Sequence, residues 1–118
     1  MEQKELALKI ASLLDNKKGK EITILEIGPL SNLGDYFVIA SGSSAPQIQA
    51  MVGEVEEKLA KEGCFPRHKE GVTAANWVLM DYGDVIVHVF HQETREFYGI
   101  ERLWADAPKV AFTPAESV

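Results

Sequence analysis

Cysteine is almost missing from this chain. Cys64 is the only one, so no disulfide can close within it and nothing calls for an oxidising compartment. Long apolar runs are missing too; none approaches the roughly 18–20 residues that span a bilayer. The opening Met1-Glu2-Gln3-Lys4-Glu5 is polar and acidic, unlike the basic-then-apolar start of a signal peptide, and a cytoplasmic protein with no membrane contact is expected. There is no basic block. The formal net charge is −6, with nine acidic and six basic residues in each half, 1–59 and 60–118. Nucleic-acid binding rests on Lys and Arg neutralising phosphates. Here they are scattered and outnumbered, so no primary nucleic-acid contact is expected and a basic protein surface is the better electrostatic match.

Signatures of chemistry are equally thin. Neither Gly-x-x-x-x-Gly-Lys-Ser/Thr nor Gly-x-Gly-x-x-Gly occurs, which leaves Gly42-Ser43-Ser44 as a turn and helix cap before it is a phosphate loop. Cys64, His68, His88 and His91 do not repeat a zinc-type pair spacing, and no metal or cofactor is expected. Asp81 and Asp84 flank a turn; two carboxylates can hold magnesium for nucleotidyl transfer, but Asp84 sits where turns favour Asp for backbone reasons. No spacing of Ser, His and Asp marks a triad. No catalytic residue is assigned.

What is present is enough for one core: 118 residues, 46% of them hydrophobic and 25% charged. Leu6, Ile10, Leu13 and Leu14 recur at helical spacing and predict a helix over 2–16, stopped by Lys17-Lys18-Gly19-Lys20. Residues 22–27 and 36–40 read as strands, the second apolar on both sides and hence central. Ser44 with Gln47 three residues on, and Pro46 between them, predicts the start of a second helix; its stripe is Ile48, Met51, Val52, Val55 and Leu59, and Gly63 ends it. A short strand is expected within 64–69. Residues 76–82 and 85–90 are β-rich runs joined by Gly83-Asp84, a two-residue hairpin loop. That register opposes Trp77 to Phe90 and Asp81 to Ile86. Alternation then puts Val78, Met80, Tyr82, Val85, Val87 and Val89 on a core face, and Trp77, Leu79, Asp81, Ile86, His88 and Phe90 on the other. On that second face Trp77 either lies under a helix or stands exposed as an interface anchor; Leu79 and Phe90 beside it are expected to form an exposed apolar patch. A last helical stretch covers 92–103 with a break at Gly99. Residues 105–118 read as a frayed tail behind a domain of residues 1–104. The order helix, two strands, helix, up to three strands, helix gives an α/β fold, a mixed β-sheet with flanking helices.

The same residues carry a resemblance. Asp35 before its strand, Gly42-x-Ser44 entering a helix, and Glu70-Gly71 ahead of Ala75-x-Trp77 are similar to the Iojap, or ribosomal silencing factor, family. So are Asp81, Gly83-Asp84-Val85-Ile86-Val87-His88-Val89-Phe90 and Arg95-x-x-Tyr98-x-Ile100-Glu101-x-Leu103-Trp104, with Ile100 where the family usually has leucine. The likeness spans Leu6 to Trp104. It implies a nucleotidyltransferase-like fold without catalysis, binding to the large ribosomal subunit through an interface protein (the fourteenth of its series), obstruction of the small subunit with repression of translation, and a capacity to form homodimers. The docking residues expected on this basis are Trp77, Leu79 and Asp81 from the hairpin with Arg95, Tyr98 and Arg102 from the closing helix. The alternative is a nucleotide-binding enzyme of nucleotidyltransferase type built on Gly42, Ser43, Asp81 and Asp84.

Overall fold

In a computed structural model, which describes residues 1–115, the chain runs α1 (Gln3–Asn16), β1 (Lys20–Glu26), β2 (Tyr36–Gly42), α2 (Ala45–Ala60), β3 (His68–Glu70), β4 (Trp77–Asp81), β5 (Val85–His91), α3 (Gln92–Tyr98), α4 (Ile100–Leu103) and β6 (Lys109–Val110). The strands form one sheet in the order β3-β4-β5-β2-β1-β6. β2 and β5 pair in parallel, and the other pairings are antiparallel. A parallel neighbour needs a crossover, and the chain between β2 and β5 supplies it through α2. The sheet is therefore mixed, with flanking helices, and compatible with a nucleotidyltransferase-like arrangement. No described helix is long and apolar enough to cross a membrane.

Local chemistry accounts for the elements. In α1 the stripe Leu6, Ile10, Leu13 and Leu14 is buried together with Ala7 and Ala11. At the head of α2 the Ser44 hydroxyl accepts from the Gln47 amide at 3.2 Å, with Pro46 in the first turn. The hairpin has the expected register, Trp77 opposite Phe90 through Asp81 opposite Ile86. Gly83 takes φ +89° while Asp84 stays out of the left-handed region, as a turn with its positive φ at the first loop position requires.

Alternation along β2 and β5 divides the interior in two. Val38, Ala40, Val85, Val87 and Val89 face α1 and α2 in the larger cluster, whereas Phe37, Ile39, Ile86 and Phe90 face a smaller cluster closed by Ile100 and Ala107. The tail is not frayed where it is described. Ala107 is buried, Lys109 and Val110 pair with Leu25 and Ile24 of β1, Phe112 packs on the larger cluster, and the Ala115 amide donates to Asp15. The β1 edge finds its hydrogen-bond partners in the tail's backbone while the tail's apolar side chains find the core, which composition alone does not reveal. The expectation of fraying over 116–118 lies outside the described residues.

Candidate functional site: a half-covered aromatic face

Two long helices cover one side of the sheet. Among the described residues the other side carries α3 and α4, hinged at Gly99 (φ +53°), and the turn through Trp104 and Ala107, and so short a cover leaves the β4 end of the face open. Arg95 fastens the elbow. Its guanidinium donates to both carboxylate oxygens of Glu101, at 2.8 and 3.0 Å, to the Ser41 hydroxyl at 2.9 Å, and at longer range to Thr23 Oγ1 and the Lys20 carbonyl. The hydrogen bonds from Arg95 hold the Glu101 carboxyl below its ordinary pKa. Arg95 is 6% exposed. The expectation that it meets a partner directly is therefore corrected: it is an internal clamp, because the bend at Gly99 brings Glu101 across to it.

Trp77 lies at the open end, half-buried. Its indole Nε1 donates to His88 Nδ1 at 3.1 Å; its ring packs on Phe90 at 4.8 Å and on Tyr98 at 5.0 Å between centroids. Trp77 is thus neither wholly under a helix nor wholly exposed: Tyr98, from the end of α3, covers one side, and the rest opens into two shallow hollows. One is lined by Asn76, Glu93, Thr94, Phe97 and Tyr98 with Trp77; the other by Glu70, Gly71 and Leu79 with Trp77. Leu79 is half-buried. Phe90, expected in the exposed patch, is fully buried beneath Trp77. Its place is taken by Phe97, 78% exposed and edge-on to the half-exposed Tyr98. Phe97 was not singled out from the sequence. The available signal was that Phe97, Tyr98, Ile100, Leu103 and Trp104 are more apolar residues than one face of a short helical stretch can bury.

Trp77, Leu79 and Tyr98 are thus brought together. Asp81 is on the same strand but nearer the hairpin tip, where its carboxylate accepts from the Gly83 amide at 2.7 Å. Arg102 is exposed on the far flank of the elbow, lining a cleft with Ser41, Gln92 and Glu101. His88 is 5% exposed, and burial lowers its pKa to about 4. Its other ring nitrogen, Nε2, has no hydrogen-bond partner among the described residues.

The residues of a nucleotide site are not brought together. Gly42 pairs with His91 at one end of the parallel pair, and Tyr36 pairs with Val85 at the other. Asp84 belongs to the Tyr36 end, where its carbonyl accepts from the Asp35 and Tyr36 amides. The seven-residue strand puts six rises between the two ends, about 20 Å at ~3.3 Å each. At the Gly42 end, Gln47 Oε1 already accepts from the Ser43 amide at 2.7 Å and hydroxyl at 3.0 Å, the position an anion would occupy at a helix N-terminus. The same side chain donates to the Lys17 and Lys18 carbonyls.

The fold and this face define a small mixed-sheet α/β protein with one sheet side sealed by helices and the other presenting aromatics around a short elbow. Comparison with known proteins gives that class a family. The chain belongs to the ribosomal silencing factors: the family model described as "Ribosomal silencing factor during starvation" matches residues 1–118. It is 40% identical to the ribosomal silencing factor RsfS of Bacillus subtilis over 108 residues, 92% of each chain. It is 35% identical over 98 residues to the mouse protein named "Mitochondrial assembly of ribosomal large subunit protein 1", covering 80% of this chain and 43% of that one. A crystal structure of a Chromobacterium violaceum protein superposes with a TM-score of 0.85 at 36% identity, covering 98% of this chain and 97% of the other.

Proposed function

We propose that this protein binds the large ribosomal subunit in the cytoplasm, through the fourteenth-series ribosomal protein at the subunit interface, and represses translation by keeping the small subunit away, without catalysing a reaction. Family membership supports the ribosomal role, and the mouse relative is named for the large subunit. The observation that carries the docking site is Trp77: a partly buried indole flanked by exposed Tyr98 and Phe97, the kind of residue that dominates interface energetics. Trp77, Leu79 and Tyr98 form the centre of the contact, with Asp81 and Arg102 toward its margins and Arg95 acting from inside. Acidic groups near the patch, Glu70 and Glu93, orient it against a basic protein.

The mechanism is steric. The domain measures 34 Å along each principal axis, which no interface between two touching surfaces can accommodate. In the free protein the same aromatics are covered in a homodimer that yields to the ribosomal contact; sedimentation showing monomer alone at high concentration contradicts that part. The docking site is tested by co-sedimentation with purified large subunits. Trp77→Ala should weaken binding by roughly 30-fold or more, since losing such an anchor costs about 2–4 kcal/mol. Unchanged binding by a variant that still melts cooperatively overturns the site.

A further inference from the structure

We infer that His88 is a positioning residue for docking: its Nδ1 holds the Trp77 indole in the orientation the partner meets. The inference rests on the docking reading above and names what sets the anchor's geometry. An indole Nε1–H is a donor only. To accept from it, His88 must carry its single proton on Nε2, and that N–H is buried without a partner among the described residues. The imidazole is surrounded by aromatic rings, edge-on to Phe37 at 4.5 Å and parallel to Phe90 at 6.2 Å with 11° between planes. Packing alone favours an apolar ring at such a place, because a buried unpaired donor is costly. What histidine adds is the acceptor.

The sheet delivers that acceptor with little freedom. Leu79 stands opposite His88 and Trp77 opposite Phe90, so His88 is the diagonal neighbour of Trp77 on one sheet face, within reach of large side chains. Phe37 and Phe90 hold the imidazole in place, so the direction of Nδ1 is set by buried packing rather than by solvent. Trp77, resting on Phe90 and beside Tyr98, has its remaining rotation removed by the hydrogen bond. An anchor fixed before binding loses less freedom on association.

His88→Phe removes the acceptor and keeps a ring; His88→Asn restores an acceptor close to the position of Nδ1. The readouts are large-subunit affinity and the Trp77 indole N–H resonance, assigned against Trp104 with Trp77→Phe. In His88→Phe that resonance should lose its hydrogen-bonded shift and exchange protection, and affinity should fall about tenfold, the effect of one lost hydrogen bond. His88→Asn should recover both. In a Trp77→Phe background, which has no indole donor, His88→Phe should cause no further loss. Unchanged affinity in folded His88→Phe, no recovery in His88→Asn, or an equal loss in the Trp77→Phe background overturns the inference. Should His88→Phe fail to fold, the native protein still decides the geometry: a scalar coupling from Trp77 Nε1–H to His88 Nδ1 is expected, and a protonated Nδ1 contradicts it. Loss of the docking reading is separately visible, as Trp77→Ala binding like the native protein.

Discussion

His88 has a consequence for stability that is separate from docking. Its pKa falls from the ordinary 6.5 to about 4 because burial penalises the charged ring. Above pH 6.5 neither folded nor unfolded chain carries the proton. As pH falls from 6.5 toward 4 the unfolded chain takes it up and the folded one does not, so stability drops by on the order of 3 kcal/mol across that window. Urea unfolding at pH 7 and pH 5 should show roughly 2 kcal/mol of this loss in the native protein and none of it in His88→Asn; equal losses in both contradict it. Glu101 acts in a lower window. Its carboxyl is held down by Arg95, so its contribution is present above the ordinary carboxylate pKa and is lost as pH falls through the lowered one. Placing Trp77 and His88 on one sheet face needed only alternation. The burial of Arg95 was not legible, since its partner lies six residues on. In a continuous helix residues i and i+6 are about 240° apart and cannot meet.

Elements differ in how much of their cause is local. The hairpin of β4 and β5 could be read down to its register, because Gly83-Asp84 and two alternating runs specify it without help from the rest of the chain. The elbow of α3 and α4 was legible only as a break at Gly99, and β6 not at all. Two residues carry no period, and their strand exists because β1 offers an edge. The elbow's integrity depends on the Arg95–Glu101 pair. Glu101→Ala leaves a guanidinium that is 6% exposed without its carboxylate; with the Glu101 side chain itself 36% exposed, breaking this half-buried pair costs on the order of 1–2 kcal/mol. Urea unfolding should report a loss of that order, and one below half a kcal/mol would show that the clamp carries little. Gly71 is a second test at this scale. It adopts φ +85°, and an added Cβ would meet the Trp77 carbonyl at 2.2 Å, so the start of β4 must move. Gly71→Ala should lower the melting temperature and weaken large-subunit binding together; a variant that melts and binds like the native protein contradicts this.

Across the whole molecule, the described part of the tail belongs to the domain. Ending the chain at Asp106 removes Ala107, Val110 and Phe112 from the two cores. At about 1.5–3 kcal/mol for a large apolar side chain fully buried, the truncated protein should lose a few kcal/mol and melt at visibly lower temperature. An unchanged melt would contradict the docked tail. Under the proposed function, the acidic balance of the chain, −6, and the aromatic face serve one docking event: the charge disfavours phosphate and favours a basic protein, and Trp77 is the anchor. Exclusion of the small subunit, the proposed mechanism, is read out by light scattering from purified subunits. Titrating the protein onto large subunits before adding small ones should lower the fraction of joined ribosomes, excess small subunit should restore it, and Trp77→Ala should require a roughly 30-fold higher concentration for the same effect. Unimpeded joining when every large subunit carries the bound protein would contradict it.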